Sequence, residues 1–199
     1  MKKIILASAS PRRKEILKNI GLEFEILVSD ADEGAISGTA LPVSVYVQEL
    51  ALLKATAAAK KCGKGDKLII SADTVVCIDG EILGKPNDKA DAFRILSMLS
   101  GKCHSVFTGI CVMGTRNAFS VCSAVETKVY FKNLSDEQIL SYIESGEPMD
   151  KAGAYGIQGI GSLLVEKIDG DYFNVVGLPV SKLSEILEKE FDIDVLKGE

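Results

Sequence analysis

The chain has 199 residues, 47% of them apolar and 26% charged, which suffices to bury a core without disulfide or metal staples and excludes a disordered chain. Twenty-eight acidic residues against 23 basic ones give a net charge of −5. That balance argues against a broad basic face for a nucleic acid polymer, yet it leaves room for a local cationic pocket that holds a small anion.

In chain order, residues 3–7 read as a short buried strand, and Pro11 then opens a helix that Gly21 stops. Residues 22–28 alternate and read as a strand, residues 29–41 as an acidic, glycine-containing loop. Pro42 precedes a long helix to about Lys61. Residues 67–78 form a second buried strand, interrupted by polar Ser71-Ala72-Asp73-Thr74; Asp79-Gly80 marks a turn and Glu81-Ile82-Leu83 continues after it. An amphipathic helix follows over 88–99, then strands near 103–113 and 119–131, and a helix over 135–145 capped by Ser135. Residues 151–162 are glycine-rich, 163–168 are strand-like, and a helix from Pro179 to about Glu190 closes the chain. The alternation predicts an α/β fold with longer antiparallel strands in the middle, a single domain over 1–199 with two lobes.

The five cysteines show no zinc-finger spacing and read as apolar fillers. Only Ile4 to Ala7 follow Met1-Lys2-Lys3 as an apolar run, too few for a signal-peptide core, and no run approaches the roughly 20 residues of a membrane span. The expectation is a cytoplasmic protein without a membrane partner. His104 is the one histidine, which disfavours a histidine-based triad or metal site.

Four segments carry candidate chemistry. In Leu6-Ala7-Ser8-Ala9-Ser10-Pro11-Arg12-Arg13 a strand ends where a helix begins, so unpartnered helix amides, two serine hydroxyls and two guanidinium forks can meet an anion; an ordinary serine-capped surface helix would look the same. Asp73 lies within an apolar strand, where a carboxylate is costly without a partner; it can hold a divalent cation or activate water, or be satisfied by nearby amides. The place of the first aspartate in a D-x-D-x-T phosphatase pattern is taken by Ser71. Lys85, between Gly84 and Pro86 directly after a strand, projects an ammonium from the sheet edge or is a plain turn lysine. Residues 147–161 hold Gly153, Gly156, Gly159 and Gly161 in a spacing that is not the dinucleotide fingerprint, and Gln158 offers a donor and an acceptor for the edge of a base. Glu33 and Lys54 read alone as solvated surface charges. Together the cations suit a polyphosphate, and Asp73 with Glu33 suits a metal ion and an attacking water.

Ser8-Ala9-Ser10-Pro11-Arg12-Arg13, the 71–76 segment, Gly84-Lys85-Pro86-Asn87-Asp88 and the 150–159 segment, in this order and spacing, resemble the Maf family of nucleoside triphosphate pyrophosphatases from residue 3 to about 190. The resemblance implies a mixed α/β fold related to inosine triphosphate pyrophosphatases, with a cleft between two lobes. It also implies cleavage of a nucleoside triphosphate to monophosphate and pyrophosphate with a divalent cation, Mg²⁺ or Mn²⁺. Arg12, Thr74 and Gln158 match the branch acting on dTTP and UTP, with CTP or modified pyrimidine nucleotides as further candidates; the sister branch acting on 7-methyl-GTP carries other residues there. By the same match Asp73 is the catalytic base and a metal ligand with Glu33, beside which Asp32 can take the same role. Arg12, Thr74 and Gln158 set substrate choice, and Ser8, Arg13, Lys54, Lys85 and Lys151 hold phosphates. A homodimer is implied by the resemblance alone. The competing reading is a nucleotide-binding regulator of septum formation without turnover.

Overall fold

In the computed structural model, which describes residues 2–36, 41–63 and 65–197, seven strands form one mixed sheet in the order β2-β1-β3-β5-β6-β7, with β4 on β3. The strands are β1 (Lys3–Leu6), β2 (Glu25–Ile26), β3 (Lys67–Ile78), β4 (Glu81–Leu83), β5 (Cys103–Gly114), β6 (Ser120–Phe131) and β7 (Val165–Asp169). The helices are α1 (Pro11–Asn19), α2 (Val43–Lys61), α3 (Lys89–Leu99), α4 (Asp136–Glu144), α5 (Tyr172–Val176) and α6 (Val180–Phe191). β1 pairs in parallel with β2 and β3, whereas β4 on β3 and β7 on β6 are antiparallel. The α/β class expected from the sequence is therefore observed.

The chain divides into two compact units, the first made of Met1–Asp73, Thr108–Val125 and Gly177–Glu199, the second of Thr74–Phe107 and Glu126–Val176. Strands β3, β5 and β6 each change unit part-way along, β3 at the Asp73–Thr74 peptide.

In the first unit, Ala51, Ala55 and Ala58 of α2 are fully buried with Ile5, Ile69 and Cys111. Their small side chains let the helix approach the sheet closely. Gly109 of β5 makes that approach possible, because a Cβ there would collide with the Val47 carbonyl of α2. The second unit has its own core, in which Ile95, Leu96 and Leu99 of α3 pack with Val129 and Phe131 of β6 and with Ile139 and Ile143 of α4. Helix α4 starts on a reciprocal cap: the Ser135 hydroxyl accepts from the Gln138 amide and the Gln138 side chain accepts from the Ser135 amide.

Three expectations change. The 22–28 strand shrinks to Glu25–Ile26: β1 pairs with it only through Ile5 and Leu6 and ends there, with the Leu6 carbonyl accepting from the Leu27 amide. Helix α5 (Tyr172–Val176) forms where the sequence pattern gives no helix. Cys103 is exposed at the start of β5 rather than an apolar filler. Positions 37–40 of the acidic loop lie outside the described residues. Among the described residues no helix is long and apolar enough to cross a membrane.

Candidate active site

The sequence Ser8-Ala9-Ser10-Pro11 builds the first element of the site. Proline fixes the entry angle of α1, and the Ser10 hydroxyl caps it by accepting from the Arg13 amide at 3.4 Å. The Ser8 hydroxyl accepts from the Ser10 amide at 3.2 Å and from Arg13 Nη1 at 3.1 Å. Arg13 Nε donates to the Gly177 carbonyl at 2.8 Å, so its guanidinium is held at both ends. Burial lowers the Arg13 pKa from its ordinary value, Asp73 and Glu33 act in the opposite direction, and the neighbouring Arg12 adds to the lowering. Arg12 sits beside it in the first turn of α1, half-buried.

The second element joins α2 to β3. The Ser71 hydroxyl donates to the Ala51 carbonyl at 2.6 Å, which fixes α2 against the strand two residues before Asp73. Three residues beyond Ala51, Lys54 then reaches across, and its ammonium lies 2.6 Å from Asp73 Oδ1 and 3.0 Å from Glu33 Oε1. The Lys54 and Asp73 side chains are only 13% and 12% exposed, whereas Glu33, on a short 3₁₀ turn at Glu33–Ala35, is 57% exposed. The carboxylate of Asp73 is thus satisfied by a cation rather than by amides alone. Asp32 caps the same turn by accepting from the Gly34 amide.

Tyr46 is a member of this group that the sequence did not single out. Burial raises its hydroxyl pKa, and the negative charges of Asp73 and Glu33 raise it further. The signal was available in its spacing, since Tyr46, Leu50 and Lys54 recur every four residues on one face of α2. The structure therefore brings together Ser8, Arg12, Arg13, Glu33, Lys54 and Asp73 within the first unit. Two carboxylate oxygens converge there on one cation, the Lys54 ammonium. Among the described residues no group of three or more His, Cys, Asp or Glu converges.

The second unit carries the remaining candidates. Thr74 is peptide-bonded to Asp73 and half-buried. Lys85 is exposed directly after β4. The Gly153 amide donates to the Gly84 carbonyl at 3.0 Å, which sets the Lys151–Gly153 turn against the segment bearing Lys85. Gly153 is required there, with φ +71° and a Cβ position that would fall 2.7 Å from a Val76 methyl. Lys151 donates to the Glu147 carbonyl at 2.6 Å and to Asp150 Oδ1 at 2.7 Å, so its ammonium is engaged with its own loop. Gln158 is exposed and extended at φ −92°, ψ 164°. His104 is buried between Phe131 and Tyr155, and burial pushes its pKa down to about 4.

The sequence profile of the family described as "Maf-like protein" matches residues 3–190. The chain belongs to the Maf family. A protein of a Thermoanaerobacter species named dTTP/UTP pyrophosphatase is 52% identical over 194 residues, covering 98% of this chain and all of that protein. Relatives of the same name are 52% identical in Alkaliphilus metalliredigens, over 98% of this chain and 100% of the relative, and 48% identical in Caldicellulosiruptor saccharolyticus, over the whole of both. Among solved structures, a HAM1 protein from Coxiella burnetii aligns with a TM-score of 0.45 and 18% identity, covering 66% of this chain and 73% of that one, a level at which nothing transfers.

Proposed function

We propose that this Maf protein hydrolyses dTTP and UTP to the nucleoside monophosphate and pyrophosphate. The observation that carries the reading is the Lys54 ammonium held between Asp73 and Glu33 at 2.6 and 3.0 Å, with the Arg13 guanidinium in the same electrostatic neighbourhood. The relatives' printed substrate supports the choice of nucleotide.

In this reading Asp73 accepts the proton of the water that attacks the α-phosphorus. General base catalysis of this kind contributes about 10²–10⁴-fold. Lys54 orients the Asp73 carboxylate and balances its charge. The Ser8 hydroxyl and the Gly177 carbonyl position Arg13, which with Lys54, Lys85 and Lys151 stabilises charge on the departing pyrophosphate. Lys151 first has to exchange the Glu147 carbonyl and Asp150 for phosphate oxygens. Arg12, Thr74 and Gln158 select the nucleotide, Gln158 through the donor and acceptor of its amide.

The hard oxygens of Glu33 and Asp73, already converging on one cation, fit Mg²⁺ or Mn²⁺, which takes one or two protein carboxylates and completes its shell with water and phosphate oxygens. When bound, such an ion neutralises phosphate charge. A cytoplasmic location and a homodimer are part of the same proposal.

The test is pyrophosphate release from a panel of dTTP, UTP, CTP and 7-methyl-GTP with Mg²⁺ or Mn²⁺. The expected result is turnover of dTTP and UTP well above 7-methyl-GTP, abolished by a chelator. The reverse preference would move the chain to the sister branch, and nucleotide binding without release of pyrophosphate would make it a regulator.

A further inference from the structure

Glu147 has no role in the chemistry described so far, yet its carboxylate is the centre of the loop that carries Gln158. Glu147 Oε1 accepts from the Tyr142 hydroxyl at 2.9 Å and from the Gly161 amide at 3.0 Å, and Oε2 accepts from the Ile160 amide at 3.1 Å. The Tyr142 hydroxyl in turn accepts from the Gly156 amide at 3.2 Å. The backbone is therefore pinned two residues before Gln158 and two and three residues after it, by a single carboxylate and the phenol bonded to it. Gln158 itself is left exposed at the crest between these anchors.

The glycines of the loop are shaped to this carboxylate. A Cβ at Gly159 would fall 2.8 Å from Glu147 Oε2, and one at Gly161 would fall 2.6 Å from the Tyr142 hydroxyl and 3.0 Å from Glu147 Oε1. Tyr142 is buried on α4, whose Ser135–Gln138 cap and packed Ile139 and Ile143 make it a rigid base. The Lys151 ammonium bonded to the Glu147 backbone carbonyl ties the same residue to the other end of the loop.

We propose that Glu147 and Tyr142 are positioning residues for nucleobase selection: they hold the 156–161 backbone so that the Gln158 amide meets the base edge in a fixed orientation. The proposal rests on the dTTP/UTP reading and on the base-reading role of Gln158. Amide bonds to a carboxylate are among the stronger ones, so losing them loosens the crest by enough to change discrimination about tenfold.

The experiment compares Glu147→Gln and Tyr142→Phe with the unsubstituted enzyme on UTP and GTP. A glutamine amide nitrogen cannot accept from a backbone amide, whereas Tyr142→Phe keeps the packing and removes only the hydroxyl. The expected result for both is a KM for UTP raised about tenfold with kcat within about twofold, and a UTP-to-GTP ratio of kcat/KM lowered about tenfold. In a Gln158→Ala background the same substitutions leave that ratio unchanged, because the group they position is gone. Equal losses on UTP and GTP, or an undiminished effect in the Gln158→Ala background, would overturn the proposal and leave Glu147 a structural residue. Absence of pyrophosphate release by the unsubstituted enzyme would instead overturn the dTTP/UTP reading beneath it.

Discussion

His104 puts a pH sensor into the second unit that can be read without any knowledge of the reaction. Its ring is 2% exposed, its Nε2 lies 2.8 Å from the Tyr155 hydroxyl, and it meets Phe131 and Tyr155 edge-on. Nδ1 has no hydrogen-bond partner among the described residues, so a proton placed there meets no acceptor. Burial accordingly pushes the pKa from 6.5 down to about 4. A depressed folded-state pKa means that the unfolded chain takes up the proton first as pH falls. The contribution to stability is thus fully present above about pH 6.5 and is lost progressively toward pH 4. At 1.36 kcal/mol per pH unit the full effect is about 3 kcal/mol, of which about 2 kcal/mol disappears between pH 7 and pH 5.

Urea unfolding of the unsubstituted protein and of His104→Gln at pH 7 and pH 5 measures this. Glutamine keeps a partner for the Tyr155 hydroxyl and does not titrate, so general carboxylate effects cancel between the two proteins. The unsubstituted protein should lose about 2 kcal/mol more than His104→Gln on going to pH 5. Parallel losses in the two would show instead that the ring takes its proton in the folded state as readily as in the unfolded one.

Two further outcomes follow from the first unit. Lys54→Met removes the ion-pair partner of Asp73 in a site where that side chain is 12% exposed, and should cost about 3 kcal/mol in urea unfolding at pH 7, with Glu33 contributing little because it is largely solvated. Gly109→Ala drives a methyl into the Val47 carbonyl and should lower the Tm by about 5 °C or more, measured by circular dichroism; an unchanged Tm would mean that α2 withdraws from the sheet freely.

The sequence was most legible where punctuation and periodicity agree. Pro11 and Gly21 bracket α1, and Asp79-Gly80 gives the β3–β4 turn, with both residues at positive φ. Alternation over 22–28 overstated β2 because alternation reports a two-faced strand but not over which residues a partner pairs with it. Helix α5 was illegible because Tyr172-Phe173-Asn174-Val175-Val176 lacks helical preference. It is held from outside, by the Asp171 side chain accepting from the Phe173 and Asn174 amides and by Asn174 Nδ2 donating to the Val106 carbonyl and the Thr127 hydroxyl.

The site residues divide the same way. Ser8, Arg13 and Asp73 carry local signals: a strand-to-helix turn with cations, and an acid inside an apolar strand. Glu33 and Lys54 read one by one as surface charges; only their combination with Asp73 and the other cations, and the resemblance to the family, mark them, and folding sets them at 3.0 Å. Glu147 carried no signal at all, because two of the groups it binds are backbone amides 13 and 14 residues away, which have no residue identity to read.

The most direct measurement is kcat for UTP with saturating Mg²⁺ in Asp73→Asn beside the unsubstituted protein, with circular dichroism confirming the fold of both. Asparagine keeps the shape and removes the base. Pyrophosphate release should fall by at least about 10²-fold. Near-normal turnover would remove Asp73 from the centre of the reaction.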